Sequence, residues 1–256
     1  FCITRTMPQI IVFKIVDKNI RRLKTSFSNY IFGEDAHGCC VLDNKIYLVA
    51  TEGEQNGQKA EGIIGSGKDH VGKMIVSEII FNGNDIVIKD SKIFNPFDCN
   101  HHHHINDLTM LDDIFYLSSH TYCDQNKIFI KKGAISKLNS LLQSTVINNK
   151  TEHPHSICFF NGRLYVCVSG LASIFSIDIS NNSTQLEYKG TNAYVRGLLV
   201  TGLYFYFGMS ITKSRSESKF YNLESGILQF NRKTGEVKRI KIPDIYDSVY
   251  SIISVD

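Results

Sequence analysis

The chain has 256 residues, 43% hydrophobic and 21% charged, with a formal net charge of +3 at neutral pH. This is an ordinary globular composition, and it excludes a disordered or low-complexity chain. The small, dispersed positive charge argues against a nucleic-acid face, and no apolar run approaches the ~20 residues that span a bilayer. With 4 prolines and no Gly/Ser linker, residues 1–256 are expected to form a single domain.

The chain opens at Phe1 rather than methionine, so a trimmed start and a removed leader are compatible with the sequence. Phe1-Cys-Ile-Thr, Gln9 to Asp17 and Ile20 to Thr25 read as the second, third and fourth strands of a sheet that lacks its first. From His37 a unit begins that recurs along the chain. A polar lead, His37-Gly-Cys-Cys-Val-Leu, runs through Asp43-Asn44 into the strand Lys45-Ile-Tyr-Leu-Val-Ala. Asx and Gly at a two-residue turn suit the positive φ of a tight hairpin. The stretch from Glu52 to His70 lacks periodicity and reads as an inserted loop. A second hairpin follows, Val76 to Phe81 and Asp85 to Lys89 across Asn82-Gly83-Asn84.

The run His101-His102-His103-His104 leads into the next copy. In an extended chain only alternate residues share a side, so His104 is expected in a pocket and the other three on a loop. The copy itself starts at Asn106-Asp107, turns at Asp112-Asp113 and returns through Ile114-Phe-Tyr-Leu. Ala134-Ile-Ser-Lys-Leu-Asn-Ser-Leu-Leu has helical spacing and predicts a short helix. The third copy, His153-Pro-His155-Ser156, turns at Asn161-Gly162, and its second hairpin turns at Ser180-Asn181-Asn182. The fourth begins at Tyr194-Val-Arg196-Gly, turns at Thr201-Gly202, and closes through Lys233-Thr234-Gly235. Ser248 to Val255 reads as an innermost strand with nothing after it.

Two hairpins make a four-stranded blade, and one end of the chain supplies what the other lacks. The expectation is an all-β, five-bladed β-propeller of four-stranded antiparallel blades, closed by N- and C-terminal strands sharing one blade; six blades is the alternative. Closure would leave no free sheet edge.

In such a ring the inner-strand starts converge on the axis. They bring together His37, His104, Asn106, Asp107, His153, His155, Tyr194, Arg196 and Tyr246 or Asp247, with Arg215 in a following loop. A guanidinium beside neutral imidazoles favours a carboxylate or phosphate. The expected function is binding of a small polar or anionic ligand of sugar or carboxylate type, with enzymatic turnover left open. In an enzyme His155 would carry the proton and Arg196 clamp the anion. The remaining positions are ligand-binding candidates: His37, His104, Asn106, Asp107, His153, Tyr194, Arg215 and Asp247. Ser156 beside His155 is adjacency only, with no GxSxG elbow.

Imidazoles at 37, 104 and 155 suit zinc, iron or copper, and Asn106 with Asp107 suits calcium, but no local ligand spacing selects a metal and no cofactor is assigned. The rival readings are a non-catalytic protein-interaction scaffold using rim loops and a metal-dependent lactonase-like hydrolase. The 7 cysteines, Cys2, Cys39, Cys40, Cys99, Cys123, Cys158 and Cys167, contain no CxxC pair. They read as reduced core thiols of a cytoplasmic monomer. Asn149, Asn181 and Asn182 stand in N-x-S/T patterns of a kind common by chance in an Asn-rich chain.

His153-Pro-His-Ser, Gly162-Arg-Leu-Tyr-Val, Val195-Arg-Gly-Leu, Gly208-Met-Ser with Arg215, and Ile245-Tyr-Asp resemble, in order and spacing, one family of uncharacterised conserved hypothetical proteins. His104-Ile-Asn-Asp-Leu fits that family's His-hydrophobic-Asn pattern. The resemblance covers about residues 100 to 250 and implies a propeller whose shared polar positions mark its site. This chain departs from the family in having no tryptophan and a longer loop from Ser210 to Arg215.

Overall fold

The computed structural model describes residues 2–3, 10–11, 13–16, 19–22, 24–27, 35–51, 72–82, 85–98, 104–124, 126–190, 194–210, 226–241 and 252. Short strands come first: β1 (Cys2–Ile3), β2 (Ile10–Ile11), β3 (Phe13–Val16), β4 (Asn19–Arg22) and β5 (Lys24–Phe27). Four successive sheets follow, antiparallel except where β5 joins the edge of the first. The first is β6 (Asp35–Leu42), β7 (Lys45–Thr51), β8 (Gly72–Asn82) and β9 (Asp85–Phe94). The second is β10 (Ile105–Leu111), β11 (Ile114–Ser119), β14 (Ala134–Leu138) and β15 (Ser144–Asn148), with the small hairpin β12 (Tyr122–Cys123) and β13 (Phe129–Ile130) between its second and third strands. The third is β16 (Pro154–Phe160), β17 (Arg163–Val168), β18 (Ser173–Asp178) and β19 (Thr184–Lys189). The fourth is β20 (Tyr194–Val200), β21 (Tyr204–Ser210), β22 (Gly226–Asn231) and β23 (Val237–Lys241). Among the described residues no helix is long and apolar enough to cross a membrane.

The turns follow from residue chemistry. Asp43-Asn44, Asp112-Asp113 and Asn161-Gly162 all take positive φ at both positions, from 45° to 74°. That is the backbone twist which matches two twisted strands. The Thr201-Gly202 turn differs. Thr201 Oγ1 accepts from the Tyr204 amide at 2.9 Å, and Thr201 N donates to Tyr204 O at the same distance, closing a wider loop. The outer hairpins share another device, an Asx side chain accepting from the loop's own amides. Asp178 Oδ1 takes Ser180 N, Asn231 Oδ1 takes Lys233 N, and Asn139 Oδ1 takes Leu141 N and Gln143 N, each at 2.9 Å.

That last loop corrects the helix expected from Ala134. Residues 134–138 are the third strand of the second sheet, and Asn139 opens a hairpin. The helical spacing arose because this strand is buried on both faces. Ala134 and Leu138 pack towards the first sheet, with Val49, Met74 and Leu117, while Ile135 packs towards the third, with Ile157, Leu164 and Val166. Apolar residues on two faces of a strand no longer alternate.

The cores lie between consecutive sheets. One joins the first sheet to the second (Val49, Met74, Ile105, Leu108, Phe115), and another joins the second to the third (Tyr116, Ile135, Leu164, Val166). A further core joins the third to the fourth through Tyr165, Cys167, Val195, Phe205 and Phe207. Each fully buried large side chain contributes roughly 1.5–3 kcal/mol, so the stacking of sheet on sheet supplies the main cohesion. The first strand of each sheet packs against the first strand of the next: β6 on β10, β10 on β16, and β16 on β20. Their starts are thereby brought to one side.

At the N-terminus β1 pairs with β2 and β3 with β4, both antiparallel, but as two separate two-stranded sheets, so the segment read as one strand from Gln9 to Asp17 is divided between them. The segment read as a single strand from Ile20 to Thr25 is divided. Its second half, Lys24–Phe27, leaves β4 and lies parallel to Asp85–Ile88 on the outer edge of the first sheet. The expected closing strand at 248–255 and the inserted loop at 52–70 fall outside the described residues, apart from Ile252.

The cysteine expectation holds in part. Cys39, Cys40, Cys158 and Cys167 are reduced, but Cys123 is disulfide-bonded. It lies in the β12 hairpin, and its oxidation corrects the reading of uniformly reduced thiols.

Candidate functional site

The inner strands share a defect at one position. The β6–β7 ladder shifts between Ala36 and Cys39, and the β10–β11 ladder between Ile105 and Asp107. The β16–β17 ladder shifts between Pro154 and Ile157, and the β20–β21 ladder between Arg196 and Leu198. Each is a bulge, in which an extra residue bends the strand and re-aims a side chain. The bulges carry His37, Asn106, His155 and Arg196, the four positions that the repeat aligns. In the last, Gly197 takes φ 62°, which L side chains resist, so glycine is required there.

Side chains beside the bulges stitch the sheets together. Asp107 Oδ1 accepts from Leu108 N at 2.9 Å and Oδ2 from Ile157 N of the third sheet at 3.0 Å. Asn106 Nδ2 donates to Pro154 O at 2.6 Å, and Ser156 Oγ accepts from Gly197 N of the fourth sheet at 2.7 Å. Ser169 Oγ donates to Val195 O at 2.6 Å. The first sheet fits this scheme by having no side chain at the matching place. A Cβ on Gly38 would lie 2.2 Å from Asp107 Oδ1 and 2.8 Å from Leu108 N. Asp107, a ligand candidate by sequence, is committed to holding sheets together. Burial pushes its carboxyl up to about 7, while its two amide bonds pull the other way.

His155 and Arg196 are buried, at 6% and 5% exposure. His155 Nδ1 lies 3.1 Å from the His153 carbonyl, which can only accept, so Nδ1 carries the proton. Nε2 then accepts from the Tyr194 hydroxyl at 3.1 Å. The Tyr194 ring lies under the Arg196 guanidinium, 4.7 Å from its centroid, a cation–π contact. Burial above all, then the Arg196 charge, holds His155 well below the usual imidazole range, and His37 and His104 add to this against the His153 bond. His155 is therefore neutral, with both nitrogens engaged. Asn106 is buried, and its Oδ1 has no hydrogen-bond partner among the described residues.

His37 and His104 meet edge to face with ring centroids 4.7 Å apart. His153 is exposed, and its Nδ1 contacts Nδ1 of His120 with the two rings stacked. His120 is the residue that sequence reading missed. It follows the end of β11, and in a hairpin the second strand returns to the side where the first began. Its amide donates to His104 O at 2.8 Å, which ties it to the candidate residues. The structure thus gathers His37, His104, Asn106, Asp107, His153, His155, Tyr194 and Arg196 at the starts of neighbouring inner strands. Arg215, Tyr246 and Asp247, together with His101 to His103, lie outside the described residues. Among the described residues no group of three or more His, Cys, Asp or Glu side chains is placed to hold a metal ion.

No family model matches the sequence, and no curated protein matches it. Solved structures are similar in fold. Luciferin-regenerating enzyme superposes with a TM-score of 0.52 at 12% identity, covering 84% of this chain and 78% of that one. The GH43 protein BlXynB of Bacillus licheniformis gives a TM-score of 0.46 at 13% identity over 80% of this chain, which spans 41% of that protein. The computationally designed protein Ika8 gives 0.46 at 11% identity, covering 92% of this chain and 69% of that one. At such identity the likeness to luciferin-regenerating enzyme is one of fold. The class that follows is an all-β protein of successive antiparallel sheets, four-stranded but for the parallel edge strand β5 on the first.

Proposed function

We propose that the four sheets are blades of a five-bladed propeller, closed by a blade shared between the N-terminal strands and residues 248–255. In this reading the mouth of its axis binds a small anionic ligand of sugar or carboxylate type. The observation that carries the reading is the Arg196–Tyr194–His155 chain, buried at both ends and half-buried at Tyr194, set at the bulges where inner strands meet. A guanidinium fixed by an aromatic ring presents a planar fork of donors suited to a carboxylate. Asn106 Oδ1 would accept a ligand hydroxyl. Arg215 and Asp247 belong to the proposal as further contacts; the family resemblance implies only that such shared polar positions mark the site.

His155 serves this site first as the group that orients the Tyr194 hydroxyl. It would act as a proton carrier only after Tyr194 releases Nε2. If a substrate is found, H155A retaining full turnover would end that catalytic role. Binding is tested by calorimetry against a panel of sugar acids and simple carboxylates. Arg196→Gln should weaken the best ligand about 10- to 100-fold, the loss of a charge-assisted hydrogen bond worth 1.5–3 kcal/mol. Tyr194→Phe, which keeps the ring under the guanidinium, should weaken it less. Unchanged affinity in a folded Arg196→Gln protein would refute the site.

A further inference from the structure

The third sheet passes from its second to its third strand through one short 3-10 turn, Ser169–Leu171. The second sheet makes the same passage by a long detour, residues 120–133, that carries the β12–β13 hairpin. The detour is fastened at several points. Cys123 is disulfide-bonded, Asn149 Nδ2 donates to the Tyr122 hydroxyl at 3.3 Å, and His104 N donates to Thr121 Oγ1 at 3.1 Å. It stands against residues 151–154 and meets them at Gly133, where a Cβ would lie 2.2 Å from Pro154 Cδ and 2.7 Å from Thr151 O. Between the two walls lies a cleft of about 480 Å³ lined by His120, Phe129, Lys131, Lys132, Glu152 and His153. That volume falls within the range of small-ligand sites.

The cleft adjoins the proposed mouth. His153 lines the cleft, while its carbonyl accepts from His155. His120 lines it too, and its amide holds the His104 carbonyl. Its chemistry also matches. Lys131 and Lys132 outweigh Glu152, so the cleft favours an anion. Half-buried Phe129 and the imidazoles of His120 and His153 line it as flat rings of the kind that pack on a pyranose, and Glu152 can accept from hydroxyls.

We propose that this cleft is a second subsite of the axial site, and that the ligand is an acidic oligosaccharide rather than a single sugar. One unit sits at Arg196 and the next lies over Phe129, with its carboxylate towards Lys131 and Lys132. The proposal rests on the reading of the mouth given above. Calorimetry with galacturonate, tetragalacturonate, glucuronate, a hyaluronan tetrasaccharide and neutral cellotetraose tests it, using the parent chain, K131A/K132A and Arg196→Gln. Both lysines are exposed, so the double variant should fold, which its melting temperature checks. One acidic tetramer should bind the parent at least ten-fold tighter than its monomer. K131A/K132A should abolish that ratio while leaving the monomer's affinity unchanged, and cellotetraose should show no gain. Equal affinity of tetramer and monomer, a ratio that survives in K131A/K132A, or an equal gain with cellotetraose would overturn the subsite. Monomer binding indifferent to Arg196→Gln would instead refute the mouth. If no acidic sugar binds the parent chain, both readings fall.

Discussion

Replacing Gly38 by alanine probes the join between the first two sheets with a single methyl group. Gly38 is not at positive φ, so the substitution costs nothing in backbone conformation, and its effect is one of space. The new Cβ would meet Asp107 Oδ1 at 2.2 Å, Leu108 N at 2.8 Å and Asp107 Cα at 3.0 Å. Two of these atoms are backbone and cannot rotate away, so β6 must move off β10. Overpacking of this kind costs roughly 1–3 kcal/mol. If the displaced carboxylate also loses an amide, a charge-assisted hydrogen bond of about 1.5–3 kcal/mol goes with it. The sum is about 2.5–6 kcal/mol, or roughly 5–25 °C in melting temperature for a chain of this size. Urea titration should show a lower midpoint with an unchanged slope. Repeating the substitution in an Asp107→Ser background removes the closest clash but not the backbone ones. The cost should therefore shrink by on the order of 1 kcal/mol without vanishing. A Gly38→Ala protein melting within about 1 °C of the parent would refute the close approach on which the inter-sheet scheme depends.

Other outcomes follow from the buried titrating groups. Asp107 has a folded value of about 7 against an ordinary 3.8, so the folded state holds its proton more tightly. Its contribution to stability is full below about pH 4 and is lost as pH rises to about 7. At 1.36 kcal/mol per unit the ceiling is about 4 kcal/mol. The stability of the parent relative to Asp107→Asn should fall across that window, and a flat difference would contradict the assignment. His155 has its value depressed, so the stability it gives is present above the unfolded value near 6.5 and is lost as pH falls below it. Imidazole nitrogen NMR should show the Nδ1–H tautomer neutral at pH 6, whereas titration near 6.5 would overturn it. Burial, reinforced by the Asp107 charge, pushes the Cys40 and Cys158 thiols up to about 12. Iodoacetamide at pH 8 should leave both intact until the chain unfolds, and rapid alkylation of the native protein would refute this.

Much of the local structure was legible because it depends on neighbours in the chain. Asp43-Asn44, Asp112-Asp113 and Asn161-Gly162 announced tight turns through their tolerance of positive φ, and they adopt it. The alignment of His37, Asn106, His155 and Arg196 followed from the same repeat, and the ladders break there in all four sheets. Ala134 to Leu138 misled because burial on two faces erases the alternation that marks a strand. Lys24–Phe27 misled because a parallel edge pairing leaves no local mark. His120 was missed because it lies at the end of a strand, and only the hairpin's return brings it beside His104 and His153.

Chain order and residue type were enough to determine strands, turns and the repeat, since these rest on φ preferences and on polar leads to apolar runs. Protonation and partnership were decided only by folding. The neutral state of His155, the seat of Arg196 on Tyr194 and the use of Asp107 as a stitch arise from groups distant in the chain, such as Asp107 and Ile157 at 50 residues apart, sharing a space that excludes water. Desolvation and proximity belong to the packed molecule, and no reading of single strands contains them.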